Sequence, residues 1–290
     1  MSKLKYILTL LLLSTMPVFA ESSTSETLNM CPVTPVVNGP ISAALSKYSG
    51  MNYLVSTTLE SQVRRQMNKA LSGNFKVDIT PFGAMSMLEG KFKSIETHSD
   101  SAIVDGLYLS NVSGQSLCGY NRFVYKNGEV LTAENFLLGF RAEITSNDLQ
   151  KMMNTPEYTR LLNSLNINLG NVSVLKIFDP KAEIKDNKLI VTVRYMAPLA
   201  MREPKKASIK MGIIAQDGNI EFTDIETVSG HSAFNVNGLL PILNKLNPLA
   251  FNANVLNNSK SIIKLKDVAI INDRIIIKGL VIVPKNYYNN

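Results

Sequence analysis

Thr57 to Gly90, TTLESQVRRQMNKALSGNFKVDITPFGAMSMLEG, changes periodicity partway along, and that change decides the fold class. Thr57 and Glu60 have the T-x-x-E spacing of a helix-opening capping box. Leu59, Val63, Met67 and Leu71 follow at intervals of four, which puts one apolar stripe on a helix and leaves Arg64, Arg65 and Lys69 off it. Ser72-Gly73 ends that helix, because glycine suits the left-handed residue that closes many helices. Phe75, Val77 and Ile79 then alternate with Lys76, Asp78 and Thr80, the pattern of a strand buried on one face. Pro81 stops the strand, and Phe82 to Leu88 is an apolar, methionine-bearing turn that closes on Gly90. A one-sided helix followed at once by a one-sided strand predicts a helix lying on the concave face of a sheet.

Beyond Gly90 the chain is punctuated by turns. Phe92 to Thr97 and Ser101 to Leu109 read as strands, with His98-Ser99-Asp100 as the turn between them. Asn127-Gly128, Asp186-Asn187, Asp217-Gly218 and Asn272-Asp273 each separate two β-prone runs and mark four hairpins. Thr132 to Leu138 is expected as a helical turn, and Phe140 to Ile144 as a short strand. Thr145 to Leu165 is expected as two helical pieces, the second opened by Thr155 as N-cap and Pro156 at the first helical position. Pro241 and Pro248 break the apolar stretch Leu239 to Phe251. Ile275-Ile276-Ile277 and Val281-Ile282-Val283 give the last hairpin the strongest β signal. The class is therefore antiparallel α+β.

The N-terminus has the form of an export signal. Lys3 and Lys5 precede the apolar run Ile7 to Leu13, and Val18-Phe19-Ala20 supplies small residues for cleavage after Ala20. Residues 1–20 are read as signal peptide, 21–53 as an N-terminal arm and 54–290 as one domain. The formal net charge is +7, with Lys and Arg scattered rather than clustered. That speaks against nucleic acid and allows mild attraction to anionic lipid. The two cysteines, Cys31 and Cys118, favour one disulfide in an oxidising compartment, and two unpaired thiols are the alternative. Their spacing excludes a zinc knuckle or a redox C-x-x-C.

Catalytic patterns are scarce. A metal site needs three or four convergent ligands, and the histidines are only His98 and His231. Ser229-Gly230-His231-Ser232 lacks the G-x-S-x-G nucleophile elbow. No glycine pattern opens a helix as a phosphate cradle would. No cofactor or metal is expected, and an envelope hydrolase using His231 with a nearby serine is the least favoured reading.

Two features bear on binding. Met85, Met87, Met152, Met153, Met196, Met201 and Met211 give a methionine-bearing interior that would adapt to irregular apolar partners, although ordinary gap-filling in a core without Trp is the favoured account of them taken alone. Ala197 to Lys206 joins apolar residues to Arg202, Lys205 and Lys206 in a proline-bounded loop, suited to a lipid headgroup region or simply to a solvated hairpin.

The helix, the Ser-Gly break, the strand, Pro81-Phe82 and the short apolar turn closing on Gly90 resemble the LmeA-like family of exported phospholipid-binding proteins, over roughly Leu54 to Pro284. The resemblance implies a tubular lipid-binding-like fold, a long curved antiparallel sheet wrapped around amphipathic helices. It also implies phospholipid binding without catalysis, in a periplasmic or other extracytoplasmic envelope setting. It carries over no specific binding residues, and Gly83-Ala84-Met85 stands where family members often have bulkier residues. From the stretch most like the family, Val63, Met67, Phe75, Val77, Phe82, Met85 and Leu88 are expected to line an apolar groove. Lys91, Met201, Arg202, Lys205 and Lys206 are expected to meet the headgroup or membrane surface. The principal rival is a surface adhesion or scaffold protein with a solid core.

Overall fold

The computed structural model describes residues 31–32, 51–104, 106–126, 129–169, 172–199, 201–216, 219–228, 246, 248–249 and 262–286. Among these, antiparallel strands predominate and four helices accompany them, so the α+β expectation holds. The leader, His231, the tips of two predicted hairpins and most of Leu239 to Phe251 lie outside the described residues.

Helix α1 (Met51–Leu71) leads into β1 (Lys76–Pro81), the short helix α2 (Ala84–Leu88) and β2 (Lys91–Val104). Then come β3 (Leu107–Ser116), β4 (Asn121–Lys126), β5 (Glu129–Thr132) and β6 (Phe136–Ile144). Helices α3 (Ser146–Met153) and α4 (Pro156–Ser164) precede β7 (Ile167–Leu169), β8 (Val172–Lys185), β9 (Lys188–Met196), β10 (Lys205–Gln216) and β11 (Asn219–Thr227). The last hairpin is β12 (Ile262–Ile271) and β13 (Arg274–Val283). An eight-stranded sheet has the order β12-β13-β6-β3-β2-β4-β5, with β1 also on β2. A five-stranded sheet has the order β11-β10-β9-β8-β7.

The opening stretch behaves largely as its periodicity predicts. Val63, Met67 and Leu71 are buried on α1, and Phe75 and Ile79 are buried on the strand side while Lys76 and Asp78 face out. Two details differ. α1 already runs from Met51, so Thr57 and Glu60 are interior helix residues and the 53/54 boundary falls inside a helix. The Glu60 carboxylate instead accepts the backbone N–H of Ile79 at 3.1 Å, tying α1 to β1. At the other end Ser72, at φ 41°, takes the left-handed position assigned to Gly73. Gly73 is required for space instead, since a Cβ there would sit 2.7 Å from the Phe75 ring and 2.9 Å from the Ser101 carbonyl.

Burial raises the Glu60 pKa above its ordinary value, the Asp78 charge adds to the rise, and the Ile79 N–H and Arg64 oppose it. A carboxyl raised in the folded state costs stability while it is ionised, and that cost disappears as pH falls through the folded pKa. Glu60→Gln, which keeps the oxygen that Ile79 needs, should therefore raise the melting temperature slightly at pH 7. The gain should vanish towards pH 4, and equal shifts at both pH values would contradict the assignment.

Two other expectations are corrected. His98-Ser99-Asp100 lies inside the continuous β2, and the chain reverses only after Val104, with Gly106 at φ 89°. Ser99 stays in the strand because its hydroxyl donates to the Ser101 carbonyl at 2.7 Å. Phe136 to Leu138 forms the start of β6 rather than a helical turn, since a fully buried apolar run has no period to read.

The helical linker follows its caps. Thr145 and Asp148 cap α3 reciprocally, and Thr155 caps α4 with Pro156 at its first position. α3 packs on both β3 and β8 and so joins the two sheets: Ser110 donates to Asp148 at 2.7 Å, and the Ile184 N–H donates to the Ser146 hydroxyl at 2.8 Å. β10 packs against β12, and the Asn187 N–H reaches Asp273 at 3.4 Å, so the tips of two hairpins meet. One apolar cluster runs through both sheets, from Val63 and Met67 through Phe92 and Phe136 to Val191, Ile209 and Ile277.

Candidate functional site

α2 is a one-turn platform between β1 and β2. Pro81 shifts the β1–β2 register, and the Met87 N–H donates to the Gly83 carbonyl at 3.0 Å. Gly90, at φ 74°, then turns the chain into β2 while its N–H donates to the Met87 carbonyl at 2.8 Å. The inner side of α2, Ser86 and Met87, is buried against the body. Its outer side leaves Met85 57% and Leu88 64% exposed, a poor position for large apolar groups unless something covers them. Lys91 pairs with Glu89 and holds that carboxyl below its usual range, with a smaller contribution from Arg122. Lys93 lies 5.8 Å from the centre of the Phe82 ring, and Phe82 leans on Tyr120 at 6.2 Å. Cys31 is bonded to Cys118, two residues before Tyr120, so the disulfide expectation holds and the bond backs this tip.

The second candidate stretch differs from the expected loop. Residues 197–204 connect β9 to β10, and the Met201 N–H closes back on the Ala197 carbonyl at 2.8 Å. Leu199 is 73% exposed, Arg202 is exposed, and Met201 turns in to pack on the core. Lys205 and Lys206 belong to β10 and point to opposite faces. Lys206 pairs in register with Arg194 on the outer face, and Lys205 with Tyr195 on the core face. Arg194 lies 5.5 Å from the Phe178 ring, and Lys176 and Lys181 share its outer face. Among the described residues, Lys176, Lys181, Arg194 and Lys206 are exposed and take part in no ion pair.

The structure therefore divides the sequence-derived groove set. Val63, Met67 and Phe75 are fully buried, Val77 and Phe82 are half-buried, and Met85 and Leu88 stand on the surface. Of the methionines, Met87, Met152, Met153 and Met211 are buried in the core. α2 is at the end of the eight-stranded sheet remote from Asp273, and 197–204 is at the end of the five-stranded sheet remote from Asn187.

Sequence reasoning missed the outer-face cations because only register brings Lys176, Lys181, Arg194 and Lys206 together. The alternation of Leu189, Val191, Val193 and Tyr195 against Thr192 and Arg194 was the available signal. His98 pairs with Asp100 at 3.2 Å on the sheet surface. Among the described residues no three His, Cys, Asp or Glu side chains group as metal ligands, and no helix is long and apolar enough to cross a membrane. No protein-family model, curated protein or solved structure matches this chain.

Proposed function

We propose that this is an exported, non-enzymatic protein of the cell envelope that binds phospholipid, with acyl chains in the apolar interior and α2 meeting the lipid surface. The observation that carries the reading is the exposed pair Met85 and Leu88 on α2, at the turn that runs on to Lys91, paired with Glu89, and to Lys93, over the Phe82 ring. Exposed apolar side chains on a turn that also carries lysines suit the boundary between acyl chains and phosphate headgroups. The tubular lipid-binding-like arrangement implied by the LmeA-like resemblance belongs to the same proposal. Long antiparallel strands with bulges in β3, β8, β11 and β12 support it, because each bulge bends a strand.

The test joins lipid extraction with native mass spectrometry of residues 21–290, purified without detergent, and flotation with phosphatidylcholine–phosphatidylglycerol vesicles. Phospholipid at near one per protein is expected. Met85→Asp combined with Leu88→Asp should leave the fold intact, because both side chains already face water. Removing their burial should weaken vesicle association at least about tenfold. Flotation unchanged by the double substitution would remove α2 from the contact. A parent that stays lipid-free after vesicle incubation would replace the lipid reading with the interaction scaffold.

A further inference from the structure

Beneath the 197–204 loop the core face of β9 and β10 carries two polar groups that packing does not need. Tyr195 is 2% exposed, and its hydroxyl has no hydrogen-bond partner among the described residues. Phenylalanine would fill the same space without burying a hydroxyl, and an orphaned buried hydroxyl carries a desolvation penalty. Directly opposite in register is Lys205, half-buried on the same inward row as Ala207, Ile209 and Met211. Every other described residue of that row, on both strands, is apolar: Leu189, Val191 and Val193 on β9 and the three just named on β10. Met201, four residues before Lys205, is partly buried against the same apolar cluster. An apolar interior that ends in one donor hydroxyl and one ammonium, under a short loop, is complementary to an amphiphile with a single anionic head.

We infer that Tyr195 and Lys205 bind the anionic head of an amphiphilic ligand, a carboxylate or phosphate, whose chain enters the core below Met201. The inference rests on the lipid reading and adds the position and chemistry of the head. The hydroxyl donates one hydrogen bond to the head and Lys205 supplies the countercharge, so both groups gain a partner on binding.

The experiment compares the parent, Tyr195→Phe and Lys205→Met. cis-Parinaric acid fluorescence reports a free carboxylate, and native mass spectrometry after incubation with phosphatidylglycerol vesicles reports a phosphate. Tyr195→Phe should melt at or above the parent temperature, having lost an unpaired hydroxyl, yet bind at least about tenfold more weakly. Lys205→Met should weaken binding similarly and remove its salt dependence. The probe that the parent accepts identifies the head group. Variants that bind as the parent does would overturn this site and leave the lipid reading standing, whereas a parent that takes neither probe would overturn both. Tyr195→Phe alone decides the matter if Lys205→Met fails to fold.

Discussion

Replacing Gly90 by alanine should destabilise the protein by about 4 kcal/mol or more, the sum of backbone strain and forced displacement. Gly90 has φ 74°, a conformation that costs an L-residue roughly 1–2 kcal/mol. Space is the larger obstacle. An added Cβ would fall 1.7 Å from the Phe123 carbonyl oxygen and 2.9 Å from its carbon, and backbone cannot swing aside as a side-chain end can. The Gly90 carbonyl also accepts the Phe123 N–H at 2.9 Å, immediately before Lys91 pairs with Arg122 and Phe92 with Asn121. Alanine must therefore break the first rung between β2 and β4 or move α2, and the second route also displaces Met85 and Leu88. Below Gly90 the Phe92, Phe123 and Phe136 rings meet edge to face at 4.9 and 5.1 Å, so a shift of β4 reaches the core. Gly119→Ala is the control. Nothing lies within 4 Å of a Cβ there, and its effect should stay within about 1 kcal/mol. Urea denaturation of both variants measures the contrast, and a Gly90→Ala loss no larger than that of Gly119→Ala would refute it.

The same turn shows what the sequence could and could not convey. Where a backbone conformation has a residue signature, the reading was sound. Asp186-Asn187 and Asn272-Asp273 both adopt positive φ on each residue, as two-residue hairpin turns require, and their strands pair in the expected register. Thr145 and Thr155 cap helices for an equally local reason. Polar residues misled where a strand could satisfy them internally, as with Ser99, and Thr57 misled because its spacing to Glu60 recurs inside helices that need no cap. The site was legible only in part. An apolar run such as Phe82 to Leu88 does not reveal which members a neighbouring helix will cover, and here α1 leaves Met85 and Leu88 out. Tyr195 had a predictable inward direction, but its lack of a partner depends on what stands across space from it. The LmeA-like resemblance likewise rested on apolar and turn residues, which fix a backbone path more readily than a ligand.

Abolishing the Cys31–Cys118 bond with the double substitution Cys31→Ala, Cys118→Ala should cost roughly 4 kcal/mol, the loop-entropy value for so long a closure. The bonded residues are 87 positions apart, and the closed loop contains α1, β1, α2, β2 and β3. Opening it frees the unfolded chain far more than it alters the folded one, because no strand pairing depends on either sulfur. The folded-state effect is local. Cys118 is buried, and its carbonyl accepts the Asn121 side chain at 2.9 Å, in the connection that presents Tyr120 to Phe82 behind α2. The double variant should therefore keep its sheet content, and the vesicle association proposed for the parent, at low temperature, while its urea midpoint falls sharply and the denaturant slope rises with a more expanded unfolded state. An unfolding free energy within about 1 kcal/mol of the parent's would mean that the unfolded chain already holds residue 31 near residue 118. If the parent associates with vesicles as proposed, loss of that association before any loss of sheet structure would instead make the bond part of the contacting tip, and reduction would then release the protein from vesicles without unfolding it.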